Sequence, residues 1–350
     1  MRWLLRWILR LVVLAVVLGA VLVAPVAWVE VACRGNGVAQ PYDALLPPED
    51  HRAEARTLLT YPEWHIVHAY DDYAEVIETD DPHDFGYFNA VKTYWTSLCA
   101  LKEQAAAHGG VDRATKELVY VIGVSFSAEM AMKALYEETL GRLATLVRGE
   151  RLSPLDKLSA RQAADYATFL QQVPWYKYDF PADAAALRAA QTDNPRDLER
   201  RFALGGEYAA KAAYAQVIAA AVDSVGGDAL SLRMVVKGPD AAVLDGLDGL
   251  SVVEHRGDVI VVEAPRYRAL TRVLVEMAAR GIDLAEIAGN DDIMFTALSD
   301  QAEMPGALFS FQRQGYEDYR HLFMVPVTDL LATLRRFGEG PAQVEHIHDY

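Results

Sequence analysis

Cysteine is scarce in this chain. Cys33 and Cys99 are the only two, and they form no CxxC pair, so thiol exchange of the thioredoxin kind has no basis here. Several other signatures are missing. No GxSxG surrounds a serine, no glycine-rich loop is patterned for phosphate, and no HExxH is present, which leaves nucleophilic hydrolysis, nucleotide handling and the common zinc-protease arrangement unsupported. Positive charge is also short: 33 Lys and Arg stand against 49 Asp and Glu among 350 residues. With Arg2, Arg6, Arg10 and Glu30 set aside, the remainder carries about −18. Such a body repels phosphate, so no nucleic acid is expected as a partner.

What is present begins at the N-terminus. Arg2, Arg6 and Arg10 precede an uncharged run from Leu11 to Val29, with Trp3 and Trp7 before it and Trp28 at its far end. At 1.5 Å per residue, a bilayer core of about 30 Å takes about 20 apolar residues. Residues 1–30 therefore read as a membrane anchor, with 11–29 contacting the lipid bilayer. The arginines favour a cytoplasmic N-terminus. The expected address is the inner (plasma) membrane of a bacterial envelope, single-pass, with the main body periplasmic. A cleaved signal peptide and a lipidated Cys33 are the competing readings, and the run exceeds the usual 7–15 residue signal core. An oxidising compartment permits a Cys33–Cys99 disulfide, but two free thiols fit the sequence as well.

The fold class expected is α+β. Residues 31–50, with Gly35, Gly37, Pro41, Pro47 and Pro48, read as a tether. Residues 51–225 read as a mainly helical domain. Thr60 is the expected N-cap of its first helix, with Glu63 closing a capping box, and further helices are expected near 84–107, 112–147, 155–171 and 195–224. The Gly205–Gly206 pair marks a kink or a close-packing point. The stretch 118–132 is strongly apolar but contains Glu129, and reads as a buried core helix. After 228 the period shortens to that of strands. Residues 228–337 read as a ferredoxin-like βαββαβ domain with an extra strand, and 338–350 as a C-terminal tail. No internal repeat is visible.

The richest polar segment is YPEWHIVHAYDDYAEV at 61–76. On a helix, His65, His68 and Asp72 share one face, while Ile66, Tyr70, Tyr73 and Ile77 turn towards a core. Two imidazoles and a carboxylate are a ligand set for a single zinc or iron ion, with Glu129 as a fourth donor. Glu63, His65 and His68 are the candidate catalytic residues. For Glu129, Lys133 one turn later is the expected ion-pair partner. His346, His348 and Asp349 fall in the expected tail.

Two functions follow. The first is a membrane-anchored envelope protein with an extracytoplasmic interaction or assembly role and an envelope protein partner. The second is a membrane-tethered enzyme, metal-dependent through the 61–77 helix, which requires His65, His68, Asp72 and Glu129 to surround one pocket.

Overall fold

In a computed structural model, residues 2–38, 42–110, 112–147, 152–190, 192–225, 229–238 and 240–350 are described; Pro41 and the expected domain boundary at 226–228 lie outside them. The first helix, α1 (Arg2–Ala32), carries the apolar run. Its segment Arg6–Ala32 is long and apolar enough to cross a membrane, by length and composition, and only 6% of its most apolar window is buried.

The end of α1 is not free. Val29 and Cys33 are fully buried in a core formed with α2 (Arg56–Thr79), α3 (Tyr87–Ala105) and α4 (Arg113–Tyr136). Cys33 is bonded to Cys99 on α3. That bond settles the choice left open by the sequence and removes the lipidated-Cys33 reading, because the sulfur is already used. Lys102 on α3 donates to the Val29 carbonyl at 3.0 Å and pairs with Glu30 at 3.1 Å. Tyr120 on α4 donates to Glu30 as well. The C-terminal end of the apolar run, at Val29, is therefore packed into the body.

Helix α2 begins at Arg56, four residues before the expected cap, and Pro62 lies inside it. Tertiary bonds explain the early start. The Thr57 hydroxyl donates to the His348 carbonyl and accepts from the Met294 amide, which holds the first turn against a β-sheet. Helices α3 and α4 approach closely at Gly123, where a Cβ would lie 2.5 Å from Tyr94 and 2.9 Å from Trp95. A π-helical turn, Glu137–Gly141, joins α4 to α5 (Arg142–Val147). Helices α6 (Pro154–Leu170), α7 (Phe180–Ala190) and α8 (Pro195–Val225) complete the helical half. Ser153 and Asp156 form the capping box that opens α6. At Gly205 and Gly206 a Cβ would meet nothing within 4 Å, so neither is a close-packing point.

The remainder is two four-stranded sheets, where one sheet with an added strand was expected. The first holds β1 (Ser231–Lys237), β2 (Ser251–Arg256), β3 (Val259–Pro265) and β4 (Asp283–Ile287), with α9 (Arg268–Ala279) between the last two. The second holds β5 (Asp292–Ser299), β6 (Phe309–Gln312), β7 (Tyr319–Pro326) and β8 (Gln343–His348), with α10 (Val327–Glu339) before the last. The orders are β2-β3-β1-β4 and β6-β7-β5-β8, antiparallel at every pairing. Each sheet thus follows one plan: strand, connection, hairpin, helix, strand. The chain contains a repeat of topology that residue identities hide. In the first unit the connection between β1 and β2 contains a 3-10 turn, Ala241–Leu244, in place of a full helix.

Leu270, Val273, Leu274 and Met277 of α9 and Val327, Leu330, Leu331 and Leu334 of α10 share one core with the inner faces of both sheets. Burying four such side chains on α9 contributes on the order of 10 kcal/mol. That outweighs the helix penalty of its β-branched residues, about 0.5 kcal/mol each. The outer face of the second sheet is covered by the helical half, with Met294 and Leu322 against Leu58, Tyr61 and Leu101. The outer face of the first sheet meets the latter part of the expected tether. Leu46 packs on Val235 and Val261, and buried Glu286 accepts from the Leu46 amide at 2.9 Å and the Tyr42 hydroxyl at 3.0 Å.

The expected tail is likewise structure. Residues 343–348 pair with β5 as an edge strand, and Asp349 is gripped by Arg266 at 3.0 and 3.1 Å.

Candidate functional site

The polar face of α2 lies on the second sheet, and the two together form a buried layer of histidines and ion pairs. His65, His68 and Asp72 do share a face, and all three are buried. Ile66, Tyr73 and Ile77 pack towards α3 and α4, and Tyr70 towards α6 and α8. From the sheet come Arg320, Glu345, His346 and His348, and from the β6–β7 connection Arg313, all buried or nearly so. A bulge explains part of this. The β5–β8 register shifts between Thr296 and Ala297, so Glu345 is an extra residue between Val344 and His346. Val344 and Ile347 reach the core under α9 and α10, while Glu345, His346 and His348 meet α2.

Within the layer, Arg320 grips Glu345 with two bonds of 2.6 and 2.7 Å. Burial pushes the Glu345 carboxyl up, but the guanidinium outweighs it and holds the group below its ordinary value. Arg313 reaches Asp71 at 3.1 Å, Asp318 at 3.0 Å and Asp72 at 3.6 Å, and lies 3.5 Å over the Tyr316 ring. Asp72 also accepts from the Gln314 amide at 3.0 Å. Burial dominates at Asp72 and pushes it up to about 6, against the pull of Arg320 and the Gln314 amide.

The histidines are held neutral by burial. His65 donates through Nε2 to the Ala90 carbonyl at 3.0 Å, and its Nδ1 faces the Tyr61 hydroxyl at 3.4 Å. Burial lowers it to about 3. His68 sits with Nδ1 3.5 Å from Glu345, and its Nε2 has no hydrogen-bond partner among the described residues. His346 stacks on Trp64 at 3.4 Å between ring centroids, and its Nδ1 meets the Thr271 hydroxyl at 3.1 Å. His348 lies 4.8 Å from His346, is lowered to about 3 by burial, and has no partner for either nitrogen among the described residues.

The structure does not bring His65, His68, Asp72 and Glu129 together. His65 and Asp72 line one small cavity of about 10 Å³ with Arg320, while His68 is on the Trp64 and Glu345 side. Both nitrogens of His65 are already engaged, so it is a poor metal ligand. Glu129 belongs to a different layer. It accepts from Tyr70 and pairs with Lys211 at 2.9 Å, whereas its expected partner Lys133 pairs with Glu207 at 2.9 Å. The four do not form a ligand cluster, and the zinc or iron site expected there does not fit these positions. Glu63 is exposed on the opposite side of α2. Trp64 packs against the histidines, which accounts for its burial.

The second layer was not foreseen from the sequence. Lys211 stands 4.7 Å over Tyr70 and 5.1 Å over Tyr166, and pairs with Glu207 at 3.0 Å. Glu207 is pushed up by burial, but the two lysines outweigh this and hold it down at about 2. These groups line a cavity of about 30 Å³ with Tyr178 and Phe180. Both cavities have room for a water molecule or two. The Glu207–Lys211 spacing of one helical turn was the only available signal. The aromatic connector at 175–180 covers this helical core through Tyr178 and Phe180.

A third feature lies on the surface. The segment Arg113–Val147 meets the length and apolarity of a membrane span with only 33% of its most apolar window buried. Its inner face, with Val119, Phe126, Met130 and Ala134, fills the core. Leu118, Val121, Met132 and Leu135 are 51%, 60%, 66% and 70% exposed, and their helical spacing sets them in one stripe. Leu143 and Leu146 on α5 are exposed too. Comparison of the chain with family models, with curated proteins and with solved structures gives no match in any of the three.

Proposed function

We propose that this is a membrane-anchored interaction or assembly protein, held by α1 with its body outside the cytoplasm, whose α4–α5 face receives an apolar helix of an envelope protein partner. The observation that carries the reading is the exposed stripe Leu118, Val121, Met132 and Leu135. Contiguous apolar patches on a folded surface mark interaction sites, and a stripe at helical spacing suits a helix. The Cys33–Cys99 disulfide supports an oxidising compartment, and Arg2, Arg6 and Arg10 before the apolar run support a cytoplasmic N-terminus. The sheet orders support a finer reading of the fold as two ferredoxin-like units, each lacking its first helix.

The test is site-specific photocrosslinking in intact membranes. Probes at Val121, Met132 and Leu135 should give one discrete protein adduct, while probes at Arg272 on the exposed side of α9 should give none. Adducts to lipid alone along the stripe, or a clean monomer at every position, would remove the partner from the account.

A further inference from the structure

We propose that Glu54, His108 and Asp292 form a site for one zinc-type divalent metal ion at the joint between the helical half and the second sheet. His108 Nδ1 lies 3.4 Å from Glu54 Oε2 and 3.6 Å from Asp292 Oδ2, and the three donor atoms all fall within 4.8 Å of one another. Both separations exceed the roughly 2.7–2.9 Å of a charge-assisted hydrogen bond. They match a different geometry: a tetrahedral ion with bonds of about 2.1 Å spaces its ligands about 3.4 Å apart.

The donors come from three distant segments, and each is fixed by bonds of its own. Glu54 precedes α2, and its other carboxylate oxygen accepts from the Asp292 amide at 3.2 Å. His108 sits in the turn that ends α3, where the His108 and Gly110 amides both donate to the Ala105 carbonyl, at 3.2 and 2.7 Å. Gly109 and Gly110 adopt φ of +87° and +71°, which a side chain would resist. Asp292 opens β5, and its carbonyl accepts from the Tyr350 hydroxyl at 2.5 Å. Donors held this way need little rearrangement to bind an ion.

Charge points the same way. Glu54, Asp291 and Asp292 place three carboxyl groups around one imidazole. A dication removes this crowding. An imidazole with carboxylates suits Zn²⁺ or Mn²⁺ better than Ca²⁺ or Mg²⁺, which prefer all-oxygen shells. Two other groupings of ligand-type residues exist among the described residues. Cys33, Cys99 and Glu103 has both sulfurs in the disulfide, and Asp81, His83 and Asp84 is a local turn whose carboxylates cap its own backbone.

The experiment uses the full chain in detergent, stripped with chelator and dialysed, then titrated with Zn²⁺ by calorimetry. One equivalent should bind with a dissociation constant of roughly micromolar or tighter. His108→Gln and Asp292→Asn should each weaken binding by about 100-fold or more, while His83→Ala changes nothing. Zn²⁺ should raise the unfolding temperature of the wild type and leave that of His108→Gln where it was, a readout that also establishes that the variant folds. Co²⁺ in place of Zn²⁺ should give the visible absorption of a tetrahedral site. Absence of stoichiometric binding by the folded wild type overturns the proposal. So does wild-type affinity in His108→Gln, or binding that survives in His108→Gln and is lost in His346→Ala.

Discussion

Opening the Cys33–Cys99 bond gives a measurable loss whose size follows from the loop it closes. The two residues are 66 apart in sequence. In the chain-entropy account a loop of that length restricts the unfolded state by about 15 cal/mol/K, or about 4 kcal/mol at 25 °C. Little of this is offset in the folded state, because Val29, Leu98 and Val119 remain packed around the position whether or not the sulfurs are joined. The Cys33→Ala, Cys99→Ala double variant is the suitable perturbation, since alanine leaves no buried hydroxyl. Urea unfolding of the full chain in detergent, followed by tryptophan emission, reads the result. Trp95 is a good reporter, being 4% exposed and bonded to the Ser127 hydroxyl at 2.9 Å. The variant is expected to lose about 4 kcal/mol, with its folded spectrum unchanged. A loss within about 1 kcal/mol of zero would refute the reasoning and mean that closing the 33–99 loop does not restrict the unfolded ensemble.

Two other outcomes are expected. Arg320→Leu strands buried Glu345 without its bidentate partner, and should cost about 3–5 kcal/mol by chemical denaturation, with Glu345→Gln in the same chain recovering part of it. Acid should destabilise the protein between pH 6.5 and 5. His65, His68, His346 and His348 are all lowered by burial, so the unfolded chain takes up protons near 6.5 while the folded chain does not; each removes up to about 1.4 kcal/mol per pH unit across that window. His321, also lowered, adds to this. Asp72 and Asp291, raised to about 6, and Asp183, Asp292 and His108, raised as well, act in the opposite sense, but His108 takes up its proton mainly above this window, and the five histidines outweigh the four carboxyl groups. A thermal midpoint that holds level or rises from pH 7 to 5 would contradict this.

Local order was legible where local patterns decide it. Ser153 opens α6 through its capping box, and the alternation at Leu232, Met234 and Val236 marks β1, because these depend on neighbours a few residues away. The shared face of His65, His68 and Asp72 was readable for the same reason. What those residues touch was not. His346 and His348 stand more than 280 positions from Trp64, and a short strand at an edge looks like any polar terminus until its partner β5 is known. Glu129 shows the same limit. Lys133 lies one turn away on the same helix, yet the ammonium that reaches Glu129 comes from Lys211 on α8. The doubled sheet plan escaped notice because SLRMVVK and DIMFTALS share a period but hardly any residues.

The bond at Cys33 has a mechanical corollary. With α1 welded to α3 at its exit, and Lys102 and Tyr120 clasping Glu30, the helix is a spoke fixed in a hub and not a cord on which the hub swings. Where α1 crosses a bilayer, the body holds a set height and tilt above it, turning only as the spoke turns. Its surface then sweeps only a thin disc, and a partner of the kind proposed would have to offer its docking surface at that one level.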